Sequence, residues 1–294
     1  MKKQDILKHQ SLFLKQDQRQ GYFDQGFLFL PELIATNTLA SIHLALDEII
    51  ENSRSITTSS NRIDLEKNHS ADNPRLRRVT YADDEYTELW KICSDSVITD
   101  IAADLLGPNV RFRELMINFK WAGGGAEVKW HQDFAFYPHT HTGTLQFLVF
   151  LDDITSEMGP LQIIPESHKG QLYEHYNDEN IWTGALKDED LQRSGIEKAL
   201  ELTGKAGTVS VHHSCTLHGS ASNQSDRGRP VLVITYAAAD AIAYTAAPYP
   251  SSHYGKLVRG KEPRFAHHEE LSVPLPPDWS SGYTSIYAHQ EDTD

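Results

Sequence analysis

The middle of this chain reads Trp130-His131-Gln132-Asp133, and a later stretch reads Leu217-His218-Gly219-Ser220. Residues two apart on an extended strand point to the same side, so His131 and Asp133 can reach one ion together. His218 supplies a second imidazole just beyond an alternating strand pattern at 208–212. Two imidazoles and one carboxylate form a donor set that is typical of ferrous iron centres and leaves the opposite face of the metal open. These three residues are the candidate metal ligands.

An arginine strengthens this interpretation. With 15 histidines in the chain, a lone His-x-Asp tripeptide is weak evidence, and the His-x-Glu pairs at 267–270 are interpreted as exposed charge. Arg229 follows His218 at the entrance to the next strand-like run, where a short hairpin would return it to the side of His218. A planar guanidinium donates two parallel hydrogen bonds to a carboxylate. Arg229 therefore sits where a dicarboxylic co-substrate could be anchored.

Short strand-like runs follow one another from Val110 onward. In the first run, Phe112, Glu114, Met116 and Asn118 share one side. The run 145–151, which is apolar except for Gln146, is typical of a strand buried on both faces. Further strands are predicted at 129–136, 161–164, 208–212 and 231–236. Many short strands with Gly and Pro turns indicate a mainly β sandwich or barrel with helices packed outside.

The first third of the chain is predicted to be mainly helical. Thr36 or Asn37 can cap a helix whose apolar residues, such as Leu39, Ile42 and Leu46, follow the helical period. A second helix is predicted at about 84–106, and the polar stretch 53–72 is predicted to be a loop. We expect one domain over 1–294, with a helical part at 1–108, a barrel at 109–240 that contains a polar, helical insertion at 171–204, and a C-terminal extension at 241–294.

Composition narrows the range of partners. The formal net charge of −14 argues against nucleic acid and anionic membrane surfaces. No apolar run approaches the ~20 residues of a membrane-spanning helix. Two cysteines are too few for a disulfide framework and indicate a reducing compartment. We expect a cytoplasmic protein, either a monomer or a homodimer, that acts on a small molecule.

Several motifs together resemble the phytanoyl-CoA dioxygenase family of Fe(II)- and 2-oxoglutarate-dependent oxygenases, in its ectoine hydroxylase-like branch. The resemblance spans roughly residues 20–240. It rests on the two stretches quoted above and on five further segments: Gly26-Phe27-Leu28-Phe29-Leu30-Pro31, Leu105-Leu106-Gly107-Pro108, Asn118-Phe119-Lys120, Gly159-Pro160-Leu161 and Pro165-Glu166-Ser167-His168-Lys169-Gly170. It implies a double-stranded β-helix, the cupin-like jelly roll, with a metal at its open end.

The resemblance also implies roles for individual residues. His131, Asp133 and His218 would hold Fe(II), and Arg229 would bind the distal carboxylate of 2-oxoglutarate with help from Ser220 and Asn118. O2 would be the second co-substrate, and the expected reaction is hydroxylation of a small organic metabolite coupled to formation of succinate and CO2. Because halogenating relatives lack the carboxylate ligand, Asp133 favours hydroxylation, or a related desaturation or ring-forming oxidation.

Two other functions remain open at this point. A cupin-type isomerase or hydrolase can use the same triad with another divalent metal and without 2-oxoglutarate. A non-catalytic binding module can keep the barrel and lose the chemistry. Arg229 discriminates between the first alternative and the dioxygenase, because only the dioxygenase needs it for 2-oxoglutarate.

Residues near the motifs are candidates for substrate contact. Phe136 and Tyr137 would form a wall of the site or else pack in the core, and Gln132 is a weaker candidate. The basic cluster formed by Arg75, Arg77 and Arg78 is either a solvated surface or a contact for an anionic substrate group, and Lys120 has the same two interpretations. His139, His141, His168, His212 and His213 are not expected to be metal ligands.

Overall fold

The computed structural model describes residues 3–123, 125–281 and 285–291. The sequence also predicts a short acidic tail at 291–294 and a turn at 123–125, and of these residues Gly124 and 292–294 lie outside the described ranges. The strands are β1 Phe27–Leu30, β2 Ile63–Leu65, β3 Leu76–Thr80, β4 Val110–Asn118, β5 Val128–His131, β6 Thr144–Phe150, β7 Leu161–Ile163, β8 Leu200–Leu202, β9 Val209–His213, β10 His218–Ser220, β11 Val231–Ala238 and β12 Leu257–Arg259. The helices are α1 Lys3–Ile6, α2 Gln16–Gln25, α3 Thr36–Asn52, α4 Ala82–Glu85, α5 Thr87–Ser94, α6 Val97–Leu106, α7 Asp188–Arg193 and α8 Ile286–Glu291.

The strands form two antiparallel sheets that face each other. The larger sheet has the order β1-β9-β6-β11-β4-β3-β2, with β12 added on β4, and the smaller sheet has the order β5-β10-β7-β8. One apolar cluster lies between the sheets and joins Leu148, Phe150 and Val233 of the larger sheet to Leu161 and Ile163 of the smaller one. The predicted jelly roll with flanking helices is confirmed. The strands predicted at 145–151, 161–164, 208–212 and 231–236 are all present.

Helices cover the outer face of the larger sheet. Alternate residues of β6 and β11, such as Phe147 and Ile234, turn away from the small sheet and pack against the helices. α3 contributes an amphipathic face that includes Ile42 and Leu46, both at 2% exposure or less. Because β6 and β11 are buried on both faces, their sequences are mostly apolar.

The helix boundaries differ from the prediction. α3 begins at Thr36 with Ala35 as its N-cap, so neither Thr36 nor Asn37 has that role. The predicted helix at 84–106 is three helices, α4, α5 and α6. The chain is extended at Tyr86, and Ser96 starts α6 by accepting a hydrogen bond from the Ile98 N–H at 3.2 Å. A serine cap of this kind satisfies an N–H at the start of a new helix, so the apolar period alone did not reveal the breaks.

Three further predictions were wrong. The stretch 53–72 contains β2, which pairs with β3, a strand that the sequence analysis did not identify. The insertion 171–204 has only the six-residue helix α7 and the strand β8 as α and β elements. Phe112 packs in the core with Leu115 and Ile117, because an irregularity in the β4–β11 pairing after Phe112 shifts the alternation by one residue.

The part of the chain beyond residue 240 returns to the barrel. β12 pairs with β4, and α8 lies against β5, where the Gln290 side chain accepts a hydrogen bond from the Lys129 N–H at 2.9 Å. Within the ranges that the structure describes, no helix has the length and apolar character that crossing a membrane requires.

Candidate metal centre and its cavity

The pairing of two short strands sets the two candidate imidazoles side by side. β10 pairs antiparallel with β5, and His218 lies directly opposite His131 in the register. The ring centroids of these two histidines are 4.2 Å apart. Because β5 ends at His131, the chain turns into a 3-10 helix at Asp133–Ala135, and Asp133 points back toward both rings.

The three predicted ligands converge on one point. The Oδ1 atom of Asp133 lies 3.7 Å from the His131 Nε2 atom and 3.6 Å from the His218 Nε2 atom. All three potential ligand atoms lie within 4.8 Å of one another, and all three side chains are buried. Three donors at this spacing on one side of a cavity fit a metal ion held on one face.

Backbone carbonyls fix the tautomers of both histidines. The Nδ1 atom of His131 is 2.8 Å from the Lys129 carbonyl oxygen, and that of His218 is 2.9 Å from the Thr216 carbonyl oxygen. A carbonyl oxygen only accepts hydrogen bonds, so each Nδ1 donates and each Nε2 turns its lone pair toward the other donors. Burial lowers the pKa of both imidazoles and favours the neutral form that binds metal.

Asp133 is held as an ionised carboxylate. Its Oδ2 atom accepts a hydrogen bond from the Nε2 atom of His212 at 3.0 Å, which leaves Oδ1 turned toward the other two donors. Burial raises the pKa of Asp133, but the electrostatic interaction with the nearby His218 ring and the hydrogen bond from His212 outweigh this effect and bring the pKa to about 2. The donor set is therefore two neutral imidazoles and one carboxylate over the physiological pH range.

His212 is the functional neighbour that the sequence analysis missed. It lies in β9, where Val209 and Val211 face the helices while Ser210 and His212 face inward. Alternation of this kind would have placed His212 on the inner face. A partner that orients a ligating carboxylate tunes metal affinity without binding the metal itself.

The triad opens into a cavity of about 120 Å³ between the sheets. Asn118, Ser220 and Arg229 all line it, as do Phe136 and Tyr137. Gln132 is not among the described lining residues. Its side-chain amide donates to the Cys215 carbonyl at 2.8 Å and thereby ties β5 to the turn before β10.

Arg229 brings a buried positive charge into the cavity. The side chain is 5% exposed, and none of the described residues offers it a carboxylate within ion-pair distance or an acceptor for its Nε atom. Burial lowers the pKa of Arg229 to about 10, so the guanidinium stays charged at neutral pH. A buried cation without a counter-ion is costly, which indicates that an anionic ligand supplies the missing charge.

Lys120 lies behind the cavity and supports Ser220. The Lys120 Nζ atom donates to the Ser220 Oγ atom at 2.7 Å and to the Ser220 carbonyl oxygen at 3.0 Å. Because Ser220 Oγ accepts this bond, its own O–H is available to donate into the cavity. Burial lowers the pKa of Lys120 to about 6. Lys120 therefore neither reaches a solvated surface nor lines the site.

The other four histidines that were not expected to be metal ligands contact different groups. His213 Nδ1 accepts a hydrogen bond from the Cys215 N–H, and His168 Nε2 contacts the Phe23 carbonyl. His139 bonds to the Arg113 guanidinium at 2.7 Å. His141 faces Asp240 at 3.4 Å. The described residues place none of these four rings in the triad.

Glu114 is a second buried carboxyl group in the cavity wall. Burial raises its pKa from 4.5 to about 7, against the opposing effect of Arg113. The unfolded chain therefore loses its proton near pH 4.5, while the folded protein keeps it until about pH 7. Folding stability should fall as pH rises through this window and stay low above it.

We expect Glu114→Gln to stabilise the metal-free protein by about 3 kcal/mol at pH 8 and by close to nothing at pH 4. The reason is that glutamine keeps the neutral shape and removes the cost of ionisation. Urea denaturation at several pH values measures the difference. Glu48→Gln, at an exposed position of α3, is the control, and a stabilisation by Glu114→Gln that does not change with pH would contradict the expectation.

The fold and the donor set together define a class of protein, the double-stranded β-helix proteins with a two-histidine, one-carboxylate metal centre. Within that class, the chain belongs to the phytanoyl-CoA dioxygenase (PhyH) family, whose sequence model matches residues 22–231. The predicted family is thereby confirmed.

Two relatives and one solved structure illustrate the similarity. The chain is 32% identical over 266 residues to a probable alpha-ketoglutarate-dependent hypophosphite dioxygenase of Stutzerimonas stutzeri, covering 88% of this chain and 91% of that protein. It is 34% identical over 158 residues to L-proline trans-4-hydroxylase of Streptomyces griseoviridis, covering 47% and 59%. The crystal structure of EctD from S. alaskensis with bound Fe superposes with a TM-score of 0.65 at 20% identity and covers 87% of each chain.

Proposed function

We propose that this protein is an Fe(II)- and 2-oxoglutarate-dependent dioxygenase that hydroxylates a small metabolite and converts 2-oxoglutarate to succinate and CO2. The observation that carries the proposal is the buried guanidinium of Arg229 without a carboxylate partner among the described residues, in the same cavity as the triad. The triad alone is compatible with several kinds of metalloenzyme. The triad together with a buried cation that has no carboxylate partner fits a dioxygenase whose co-substrate carries a distal carboxylate.

Each residue has a distinct task in this function. His131, Asp133 and His218 would hold the iron, and His212 fixes the second oxygen of Asp133. When bound, the iron would supply the redox chemistry that activates dioxygen.

A further group of residues binds 2-oxoglutarate. Arg229 pairs with its distal carboxylate, and Ser220, held by Lys120, donates a hydrogen bond to the same group. Asn118 lies opposite Val231 on the neighbouring strand, close in sequence to Arg229, and its side chain lines the cavity with an amide N–H2 group that can donate to a carboxylate. We propose that it contacts the co-substrate.

The relatives support the same chemistry. The name of the Stutzerimonas stutzeri relative includes dependence on alpha-ketoglutarate, which is 2-oxoglutarate, and that relative aligns with most of this chain. The site is complete within one chain, so we place catalysis in a single subunit of one catalytic domain, whatever the oligomeric state. Two buried free thiols, Cys93 and Cys215, support a reducing compartment such as the cytoplasm.

The test is succinate formation from 2-oxoglutarate by protein reconstituted anaerobically with Fe(II). We expect succinate to form only after O2 is admitted and to increase in the presence of a substrate from a metabolite library, with a product one oxygen heavier by mass spectrometry. Protein loaded with Zn(II) is the matched control, because zinc occupies such a site without redox activity. Tight metal binding without O2-dependent succinate would instead favour a cupin-type isomerase or hydrolase.

A further inference from the structure

A second buried guanidinium, that of Arg78, lies in the wall of the same cavity. Arg78 is 2% exposed and lines the cavity with the triad. It lies on β3, where it is the register partner of Asn118 on β4. Since Arg229 already serves the distal carboxylate of the co-substrate, this second cation has no task in the proposed function.

The contacts of Arg78 hold its planar group in one orientation. Its Nη2 atom lies 3.1 Å from Asp64 Oδ2 on β2, and its Nη1 atom donates to the Tyr249 hydroxyl. The guanidinium also stacks over the Tyr249 ring, with 4.3 Å between its central carbon and the ring centroid. Asp64 is not among the cavity-lining residues, whereas Tyr249 is. The ion pair thus fixes Arg78 from behind, and an arginine fixed in this way is organised to receive a ligand.

Polar side chains line the cavity wall near Arg78. The Tyr137 hydroxyl lies 3.1 Å from the Gln146 amide nitrogen, and both residues line the cavity together with Glu114. Burial raises the pKa of Glu114 to about 7, so below that pH this carboxyl group is mostly protonated and repels an anion less than an ordinary glutamate does. The co-substrate and the primary substrate share this cavity of about 120 Å³, which favours a compact primary substrate.

We propose that Arg78 anchors the primary substrate and that this substrate is a compact oxyanion, either a small carboxylic acid or a phosphorus oxoacid. The inference rests on the proposed function, because it takes Arg229 to be occupied by 2-oxoglutarate. Carboxylates and phosphorus oxyanions share the paired oxygen atoms that a guanidinium fork recognises.

The experiment uses protein loaded anaerobically with Fe(II) and 2-oxoglutarate. The first readout is the visible charge-transfer band of that complex, which tests the proposed function by itself. The second readout is the O2-dependent rate of succinate formation with hypophosphite, phosphite, L-proline and acetate, each of which carries an oxyanion group. Acetamide and L-prolinamide are the counterparts in which an amide replaces the carboxylate. We expect at least one anion, and neither amide, to stimulate succinate formation.

Arg78→Gln should raise the anion concentration that gives half-maximal stimulation by about 10- to 100-fold, while the KM for 2-oxoglutarate and the charge-transfer band stay unchanged. Arg75→Gln, which changes a half-buried arginine outside the cavity, is the matched control and should behave as the unaltered protein. If Arg78→Gln does not fold, the double variant Arg78→Met with Asp64→Asn is measured in its place. It removes both charges of the ion pair, so no buried charge is left without a partner.

Three outcomes would overturn the proposal while leaving the dioxygenase assignment intact. They are stimulation by the amides, no stimulation by any of the anions, and a rise in the KM for 2-oxoglutarate in Arg78→Gln, which would place Arg78 on the co-substrate. Absence of the charge-transfer band in the unaltered protein would count against the proposed function instead. Hypophosphite and phosphite on one side and L-proline and acetate on the other distinguish the phosphorus from the carboxylic source.

Discussion

Replacing His131 with alanine is expected to abolish Fe(II) binding and all O2-dependent succinate formation. Its Nε2 atom is one of the three donors that meet within 4.8 Å, and the described cavity wall offers no further histidine that could take its place. Changing a residue that merely orients a ligand typically lowers metal affinity by about 10- to 100-fold, so loss of a ligand should exceed that range. Anaerobic titration with Fe(II) in the presence of 2-oxoglutarate, followed by visible absorbance, measures the effect.

Two further histidine variants make this result specific. His212→Asn removes the hydrogen bond to Asp133 but no ligand, so we expect a metal affinity about 10- to 100-fold weaker and a band that returns at high Fe(II). His168→Gln changes a histidine that contacts the Phe23 carbonyl, and it should titrate like the unaltered protein. A full-strength band in His131→Ala would show that the ligands have been chosen wrongly.

Replacing Arg229 with glutamine is expected to raise the dissociation constant of 2-oxoglutarate by about 10²- to 10³-fold and to leave Fe(II) affinity unchanged. Pairing with a carboxylate offsets the free-energy cost of burying the guanidinium. Most of the affinity for 2-oxoglutarate should therefore depend on this contact. Isothermal titration of the Zn(II)-loaded protein with 2-oxoglutarate gives the constant without turnover.

The same Arg229→Gln variant, which weakens 2-oxoglutarate binding, is expected to stabilise the ligand-free protein. Because Arg229 is a buried cation without a carboxylate partner among the described residues, its removal should raise the melting temperature of the apoprotein while 2-oxoglutarate no longer raises it further. Arg227→Gln, two residues away and exposed, is the control for both measurements. Equal 2-oxoglutarate affinity in Arg229→Gln and the unaltered protein would favour a metalloenzyme that does not use this co-substrate.

The sequence predicted those parts of the fold that follow from apolar periodicity. The run 145–151 is apolar except for Gln146 because β6 is buried on both faces, and the position of this strand was predicted correctly. β3 was missed because Arg77 and Arg78 interrupt its apolar pattern, although both side chains are buried. A charge that is buried against an ion-pair partner is indistinguishable, in one sequence, from a charge on the surface.

The candidate site, too, could be predicted from the sequence only in part. Alternation within one strand and motif resemblance were enough to propose His131, Asp133 and His218, whose roles stay predictions until the variants are measured. The direct opposition of His218 and His131 depends on the β5–β10 register, which no local pattern reveals. Gln132 was predicted to contact the substrate because of its position in the motif. Its side-chain amide instead donates a hydrogen bond to the Cys215 carbonyl.

The cavity wall is drawn from two separate parts of the chain. The triad, Arg229 and Arg78 lie within residues 22–231, which match the family, whereas Pro248, Tyr249, Ile286 and Tyr287 lie beyond them. The later residues reach the cavity from outside the matched strands, and the positions among them that do not pair with β4 or β5 are the ones that can vary. Chimeras that exchange the segment after residue 240 between homologues offer a practical route to enzymes with altered selectivity on an unchanged catalytic scaffold.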